Sequence, residues 1–276
     1  MLHHKTYIGE GDRDWVVLVH GAGGSSTIWF RQLRSYRKHF NVLLVDLRGH
    51  GASALVDDDH EGKPYTFESV SREVIDVLDH VGIESAHFVG ISLGCLIIRT
   101  IAEVQPERVQ SMVLGGAIAR LNMRSRVLVV LGNGFKRLMP FMWLYRLYAW
   151  ILMPRLNHRE SRLIFVREAQ KLARKEFLRW FRLTMELSAL VHLFEERDTG
   201  IPTLYLMGEE DHMFLPPARR MAERHRRAVL RVIERCGHVC NIERPATFNR
   251  FSIDFMRDPL GATSGPAPLP TALVTG

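Results

Sequence analysis

The stretch Ala86-His87-Phe88-Val89-Gly90-Ile91-Ser92-Leu93-Gly94-Cys95 decides how this chain is read. Ala86 to Val89 is an apolar run of strand character, and Cys95 to Glu103 has helix character, so Ser92 stands on the turn between them. Glycine two positions before and two after the serine allows a turn too tight for larger neighbours. Such a turn lifts the hydroxyl out of the sheet and sets the Leu93 N–H at a helix N-terminus.

Working outward, the same alternation recurs. Trp15 to Val19, Val42 to Val45, Val109 to Leu114, Ile201 to Met207 and Val229 to Ile233 are strand candidates, with Lys5 to Ile8 as an edge strand. Helix-like stretches lie between them, including Thr66 to Val81 with Phe67, Val70, Val74, Val77, Leu78 and Val81 on one face. The predicted fold class is α/β, a mainly parallel sheet covered on both faces. The alternation stops after Gly115-Gly116 and resumes at Ile201, so the intervening 80 or so residues read as a helical insertion. Within it Phe141 to Met153 is apolar nearly all round, broken by Arg146. Leu163, Val166, Ala169, Ala173, Phe177 and Trp180 form one helical stripe. From Pro259 onward Gly, Pro, Ala and Thr predominate, which predicts a structureless tail over 259–276.

A serine hydroxyl becomes a nucleophile when a neighbouring base takes its proton. His238, in Cys236-Gly237-His238 after the strand ending at Ile233, is the candidate base. Asp211, in Gly208-Glu209-Glu210-Asp211 after the strand ending at Met207, is the candidate acid that holds the imidazole tautomer. Parallel strands bring their C-terminal ends to one edge, so Ser92, Asp211 and His238 can converge from distant positions. The developing charge on an attacked carbonyl needs donors. Leu93 N–H is one candidate. The loop His20-Gly21-Ala22-Gly23-Gly24 offers a second, Ala22 N–H first and Gly23 next.

With these motifs, the chain resembles the α/β-hydrolase-fold enzymes that carry a helical cap. The resemblance runs from about Thr6 to Met256. It rests on His20-Gly21-Ala22-Gly23, on Asp46-Leu47-Arg48-Gly49-His50-Gly51-Ala52-Ser53, on the serine turn and on the Asp211/His238 pair. It implies the α/β-hydrolase fold, with an eight-stranded sheet or a slightly shortened version of it. The core would be 1–117 and 200–258, and a cap, 118–199, would lie over the active-site edge. It implies that Asp46, Arg48 and His50 form a structural turn, and His20 reads as a brace for the glycine-rich loop. Some relatives carry the acid one strand earlier, but Gly115-Gly116-Ala117 offers no carboxylate there; Glu209 and Glu210 remain rivals to Asp211. Many relatives have a second glycine after the turn where this chain has Cys95, which narrows the space without displacing Ser92.

The expected activity is cleavage of a hydrophobic carboxylic ester or thioester through an acyl-enzyme, with no cofactor and no metal. Carbon–carbon bond hydrolases, lactonases and amidases of the same fold would share the constellation, as would a ligand-sensing signalling protein that keeps it. Serine at 92 argues against epoxide hydrolases and haloalkane dehalogenases, which need a carboxylate there. The formal charge of +7 does not point to nucleic acid, because it is local: Arg120 to Asp198 holds 16 of the 37 Lys/Arg but 7 of the 30 Asp/Glu. That basic, Trp/Leu-rich insertion suits an anionic group on a small hydrophobic acyl substrate, or peripheral contact with an anionic membrane. Its aromatic run, Phe141, Trp143, Tyr145, Tyr148 and Trp150, reads as core packing or as the wall of an acyl pocket. Cys95, Cys236 and Cys240 make no disulfide framework, and Cys236-x-His238-x-Cys240 is spaced too tightly for a usual zinc site. Without an apolar leader after Met1, the expected location is cytoplasmic. The oligomeric state stays open.

Overall fold

The computed structural model describes residues 1–55, 65–118, 141–183 and 187–264. The apolar runs pair into one seven-stranded sheet: β1 (His4–Tyr7), β2 (Trp15–Val19), β3 (Asn41–Val45), β4 (Ala86–Ile91), β5 (Val109–Gly115), β6 (Thr203–Gly208) and β7 (Ala228–Ile233). Their order across the sheet is β1-β3-β2-β4-β5-β6-β7. β1 is antiparallel to β3, and all other pairings are parallel. This is the shortened form of the expected sheet.

The period of two divides the core. Val16, Leu18, Val42 and Leu44 face α1 (Phe30–Tyr36) on one side, while Val17, Val19, Leu43 and Val45 face α2 (Phe67–Val81) and α3 (Leu93–Val104) on the other. α2 buries Phe67, Val70, Val74, Val77 and Leu78, as its spacing predicts. Its ends are chemically marked. The Thr66 hydroxyl accepts from Ser69 N–H at 3.0 Å, Ser69 Oγ accepts from Thr66 N–H at 3.1 Å, and Gly82 closes the helix at φ 78°.

Between β5 and β6 the described part of the insertion is all helical: α4 (Phe141–Leu152), α5 (Arg159–Ala169), α6 (Arg174–Leu183) and α7 (Leu187–Glu196). Residues 119–140, including Arg120, Lys136 and Arg137 of the basic run, lie outside the described residues. After β6 come α8 (Leu215–Arg224), the short α9 (Cys240–Glu243), α10 (Pro245–Arg257) and α11 (Pro259–Ser264).

Two expectations need correction. The stripe from Leu163 to Trp180 is not one helix, for the chain breaks at Gln170–Ala173. There Lys171 N–H and Leu172 N–H bond back three residues, to Glu168 O and Ala169 O. The break brings Leu172, Phe177 and Phe181 together with Tyr145 in a small separate core, and leaves Leu163 61% exposed. Periodicity alone cannot separate one helix from two that share a face. The supposed tail begins as α11, because Asp258 caps it. Its carboxylate accepts from Gly261 N–H at 2.9 Å, and Pro259 occupies the first turn. Residues 265–276 lie outside the described residues.

α4 is not enclosed on every side. Leu144, Tyr145 and Ala149 are buried, whereas Trp143, Leu147 and Trp150 are exposed and form a stripe on its outer face. No described helix is long and apolar enough to cross a membrane.

Gly94 marks the closest approach of helix to sheet: a Cβ there would overlap the carbonyl oxygens of Val19 and His20. Gly94→Ala is therefore expected to destabilise the fold by about 1–3 kcal/mol, the usual cost of overpacking. Urea unfolding followed by circular dichroism measures it, and an unchanged midpoint would refute the packing argument.

Candidate active site

Ser92 is one of two non-glycine residues with positive φ among the described residues, at φ 54° and ψ −115°. That conformation is sparsely populated and costs of order 1–3 kcal/mol, so the surroundings must impose it. They do. Ser92 N–H donates to Gly115 O at 3.0 Å, and Cys95 N–H donates to Ser92 O at 3.0 Å. A Cβ on Gly90 would stand 2.6 Å from Ile98 Cδ1 and 2.9 Å from the Gly94 carbonyl carbon. The glycine spacing thus follows from packing on both sides of the turn.

The loops after β6 and β7 are joined by backbone. Glu209 N–H donates to Ile233 O at 2.9 Å and Glu210 N–H to Cys236 O at 2.8 Å. This seam carries Asp211 and His238 to the Ser92 turn. Asp211 Oδ2 lies 2.7 Å from His238 Nδ1, and His238 Nε2 lies 2.9 Å from Ser92 Oγ. Asp211 Oδ1 accepts from Phe214 N–H at 3.1 Å, which fixes the carboxylate. Both Asp211 and His238 are buried.

The N–H groups of Ala22 and Leu93 have no hydrogen-bond partner among the described residues. Leu93 opens α3, where the first N–H lacks an intrahelical acceptor. Two histidines support the Ala22 loop. His20 Nε2 accepts from Leu47 N–H at 3.0 Å, so its Nδ1–H donates to Gly21 O at 2.8 Å. His50 Nε2 accepts from Gly23 N–H at 3.0 Å, so its Nδ1–H donates to Arg48 O at 3.0 Å. Each must be neutral to accept. Burial pushes the His20 imidazole down, and pushes His50 down to about 3.

The turn at Asp46–Ser53 ties distant elements together. The Asp46 carboxylate accepts from Ser26 N–H at 2.6 Å and Ala52 N–H at 3.0 Å. Arg48 pairs in the interior with Glu73 of α2, its Nε 2.9 Å from Glu73 Oε2. Arg48 O also accepts from Tyr65 Oη at 3.1 Å and Trp180 Nε1 at 3.0 Å, the latter from the insertion.

Ser92 and His238 open onto a cavity of about 190 Å³ between the sheet edge and the insertion. Its described walls are apolar or aromatic, with Tyr145, Ile151, Phe177, Phe181, Leu187 and Met213 prominent, and contain no Lys, Arg, Asp or Glu. A smaller cavity of about 40 Å³ touches the other side of Ser92 and His238, with Glu168 on its wall.

A model of the alpha/beta hydrolase family matches residues 16–251. The chain belongs to the alpha/beta hydrolase family. A protein of Pseudomonas savastanoi pv. phaseolicola carrying the provisional name carbamate hydrolase RutD is 30% identical over 273 residues, covering 93% of this chain and 98% of its own. The 3-oxoadipate enol-lactonase 2 of Acinetobacter baylyi is 30% identical over 120 residues, 44% of this chain and 43% of its own. Among solved structures, the enol-lactonase from Burkholderia xenovorans LB400 superposes with a TM-score of 0.74 at 24% identity, covering 93% and 96% of the two chains. Family and curated relatives make this chain a hydrolase in the coarse sense and leave the substrate open.

Of the rival carboxylates, Glu210 is engaged elsewhere. It accepts from His158 Nε2 at 2.6 Å and Asn157 Nδ2 at 2.8 Å, and pairs with Arg155. Glu209 accepts from Arg235 N–H at 3.0 Å. Sequence reasoning missed His158 entirely. It is a buried insertion residue between Glu210 and Glu243, and Glu243 in turn accepts from Gly237 N–H at 2.6 Å. A histidine–carboxylate contact across 52 residues leaves no local signal. The cysteines are buried and free. Burial pushes the Cys95, Cys236 and Cys240 thiols far up, and the Cys95 and Cys240 thiols donate to backbone carbonyls of Gly115 and Leu206. Among the described residues no group of three His, Cys, Asp or Glu is arranged to hold a metal.

The buried histidines set a pH dependence. Unfolded, both titrate near 6.5; folded, both sit lower, so below pH 6.5 the unfolded chain binds more protons. Stability is then lost as pH falls below 6.5, for His50 down to about 3, by up to about 1.4 kcal/mol per pH unit per histidine. Urea midpoints measured at pH 6.5, 5.5 and 4.5 should fall, and should fall less steeply in His50→Asn. Equal slopes would show that His50 is not held neutral.

Proposed function

We propose that this chain hydrolyses a neutral, hydrophobic carboxylic ester or thioester through an acyl-enzyme, with Ser92, His238 and Asp211 as the catalytic triad. The observation that carries this reading is the unbroken row from Asp211 Oδ2 through His238 to Ser92 Oγ, opening onto an apolar cavity. His238 Nε2 takes the proton of Ser92 Oγ as that oxygen attacks the acyl carbon. Asp211 holds Nδ1–H and stabilises the imidazolium. The N–H groups of Ala22 and Leu93 receive the negative charge on the carbonyl oxygen, each such donor being worth about 3 kcal/mol of barrier. His238 then protonates the departing alkoxide or thiolate, and the same base activates water to release the acid. The helices of the insertion act as a cap over the site.

The cavity wall favours a neutral acyl group. An anionic group buried there would meet no cationic side chain among the described lining residues, so the arginine contact expected from composition gains no support from them. A cavity of about 150 Å³ takes benzene, so this one suits an aryl group or a chain of about six to eight carbons. A lactone is an internal ester, and the enol-lactonase relative makes lactones the second class to assay.

A fluorophosphonate probe should label the wild type and not Ser92→Ala. On a panel of p-nitrophenyl esters of graded length, kcat/KM should peak at medium chains and fall by about 10⁴- to 10⁶-fold in Ser92→Ala. Wild-type turnover in that variant would end the proposal.

A further inference from the structure

Most polar side chains on the wall of the large cavity have a hydrogen-bond partner. Ser92 and His238 bond to each other, and Trp180 Nε1–H donates to Arg48 O. The Tyr145 hydroxyl has no hydrogen-bond partner among the described residues, although the residue is only 6% exposed. The hydroxyl oxygen keeps some accessible surface on the cavity wall, so a ligand acceptor there can accept its hydrogen bond.

Packing fixes its position. The ring is clasped by Phe165 and Phe177, with centroids 5.2 Å and 5.4 Å away. The hydroxyl end lies against Gly23: a Cβ on that glycine would stand 2.9 Å from Tyr145 Cζ and overlap the hydroxyl oxygen. Gly23 also has φ 69°, so two independent constraints require glycine beneath the tyrosine. Burial pushes the phenol's pKa up, so it stays a neutral donor. Gly23 is the residue next to Ala22, whose N–H faces the scissile carbonyl oxygen in the reaction proposed above. Neighbouring backbone residues are about 3.8 Å apart. An acceptor that reaches Tyr145 from a substrate so held therefore lies close to its carbonyl.

We infer that Tyr145 is a specificity determinant whose hydroxyl donates to an acceptor oxygen on the acyl chain, two or three bonds from the scissile carbon. The preferred substrate is then an alkoxyacyl or ketoacyl ester with an otherwise apolar chain, rather than a plain fatty ester. This inference rests on the acyl-enzyme reading for its catalytic meaning, and on the unpaired hydroxyl for its binding.

The test compares p-nitrophenyl butoxyacetate with p-nitrophenyl heptanoate, equal in length and differing by one oxygen for one methylene. Each is assayed on the wild type and on Tyr145→Phe, which keeps the packed ring. Intrinsic reactivity cancels in the ratio of ratios. The preference for butoxyacetate should drop by about ten- to hundredfold in Tyr145→Phe, because butoxyacetate loses more than heptanoate does. An unchanged preference, or an equal loss on both esters, would overturn the inference. Thermal shifts with two ketones that cannot be hydrolysed, butoxyacetone and 2-octanone, give a readout independent of turnover. Butoxyacetone should stabilise the wild type more than Tyr145→Phe, and 2-octanone should stabilise both equally; equal shifts with butoxyacetone would refute the hydrogen bond. If neither ester is turned over and Ser92 resists the fluorophosphonate, the acyl-enzyme reading fails, while the ketone shifts still decide the role of Tyr145.

Discussion

Close packing of backbone at the C-terminal edge of the parallel sheet is the constraint from which the site follows. Ser92 occupies a conformation that an L-residue avoids, and it is kept there because α3 leans against β2 with only Gly94 between them. The same closeness recurs at Gly208, where a Cβ would overlap the carbonyl oxygens of Cys236 and Gly237. It recurs at Gly116, where one would overlap His238 O. Three strand ends are thus pressed together without side chains between them. The side chains of Ser92, Asp211 and His238 are what project from that junction. Strain at the serine is stored because neither neighbouring strand can retreat.

The insertion is fastened to this edge by polar contacts that differ in kind from the apolar packing of the sheet. His158 and Arg155 grip Glu210, the residue before Asp211, while Ser161 donates to Glu243, which holds Gly237 beside His238. On the opposite flank Ser25, in the glycine-rich loop region, donates to Glu168 at 2.9 Å, and Trp180 donates to Arg48 O. Movement of the helices over the cavity would therefore be felt at the residues adjoining the site. Within the cavity the insertion contributes hydrocarbon and aromatic surface, and the Tyr145 hydroxyl is on that wall.

Much of this was legible in the chain. Parallel strands buried on both faces read as continuous apolar runs, so β2 to β6 announce themselves, and α2 is bracketed by Thr66 and Gly82. The three side chains of the hydrogen-bonded row were legible because each follows directly on a strand, and strand ends share an edge. The break between α5 and α6 was not legible, since hydrophobic period carries no information about where a helix turns a corner. Nor was α11, whose capping by Asp258 competed with a composition typical of disorder. Exposed Trp143 and Trp150 show the same weakness from the other side, because an apolar residue in a helix does not state what covers it.

The amino-acid order by itself determined which residues end on the shared edge, because alternation and glycine spacing are local and the parallel sheet does the rest. The tertiary structure alone decided which carboxylate faces His238, which histidine bridges the insertion to the Glu210 loop, and which tyrosine of α4 comes to rest over Gly23. Those outcomes depend on distances between segments far apart in the chain. Such distances are set by the packing of whole elements, and no short run of residues encodes them.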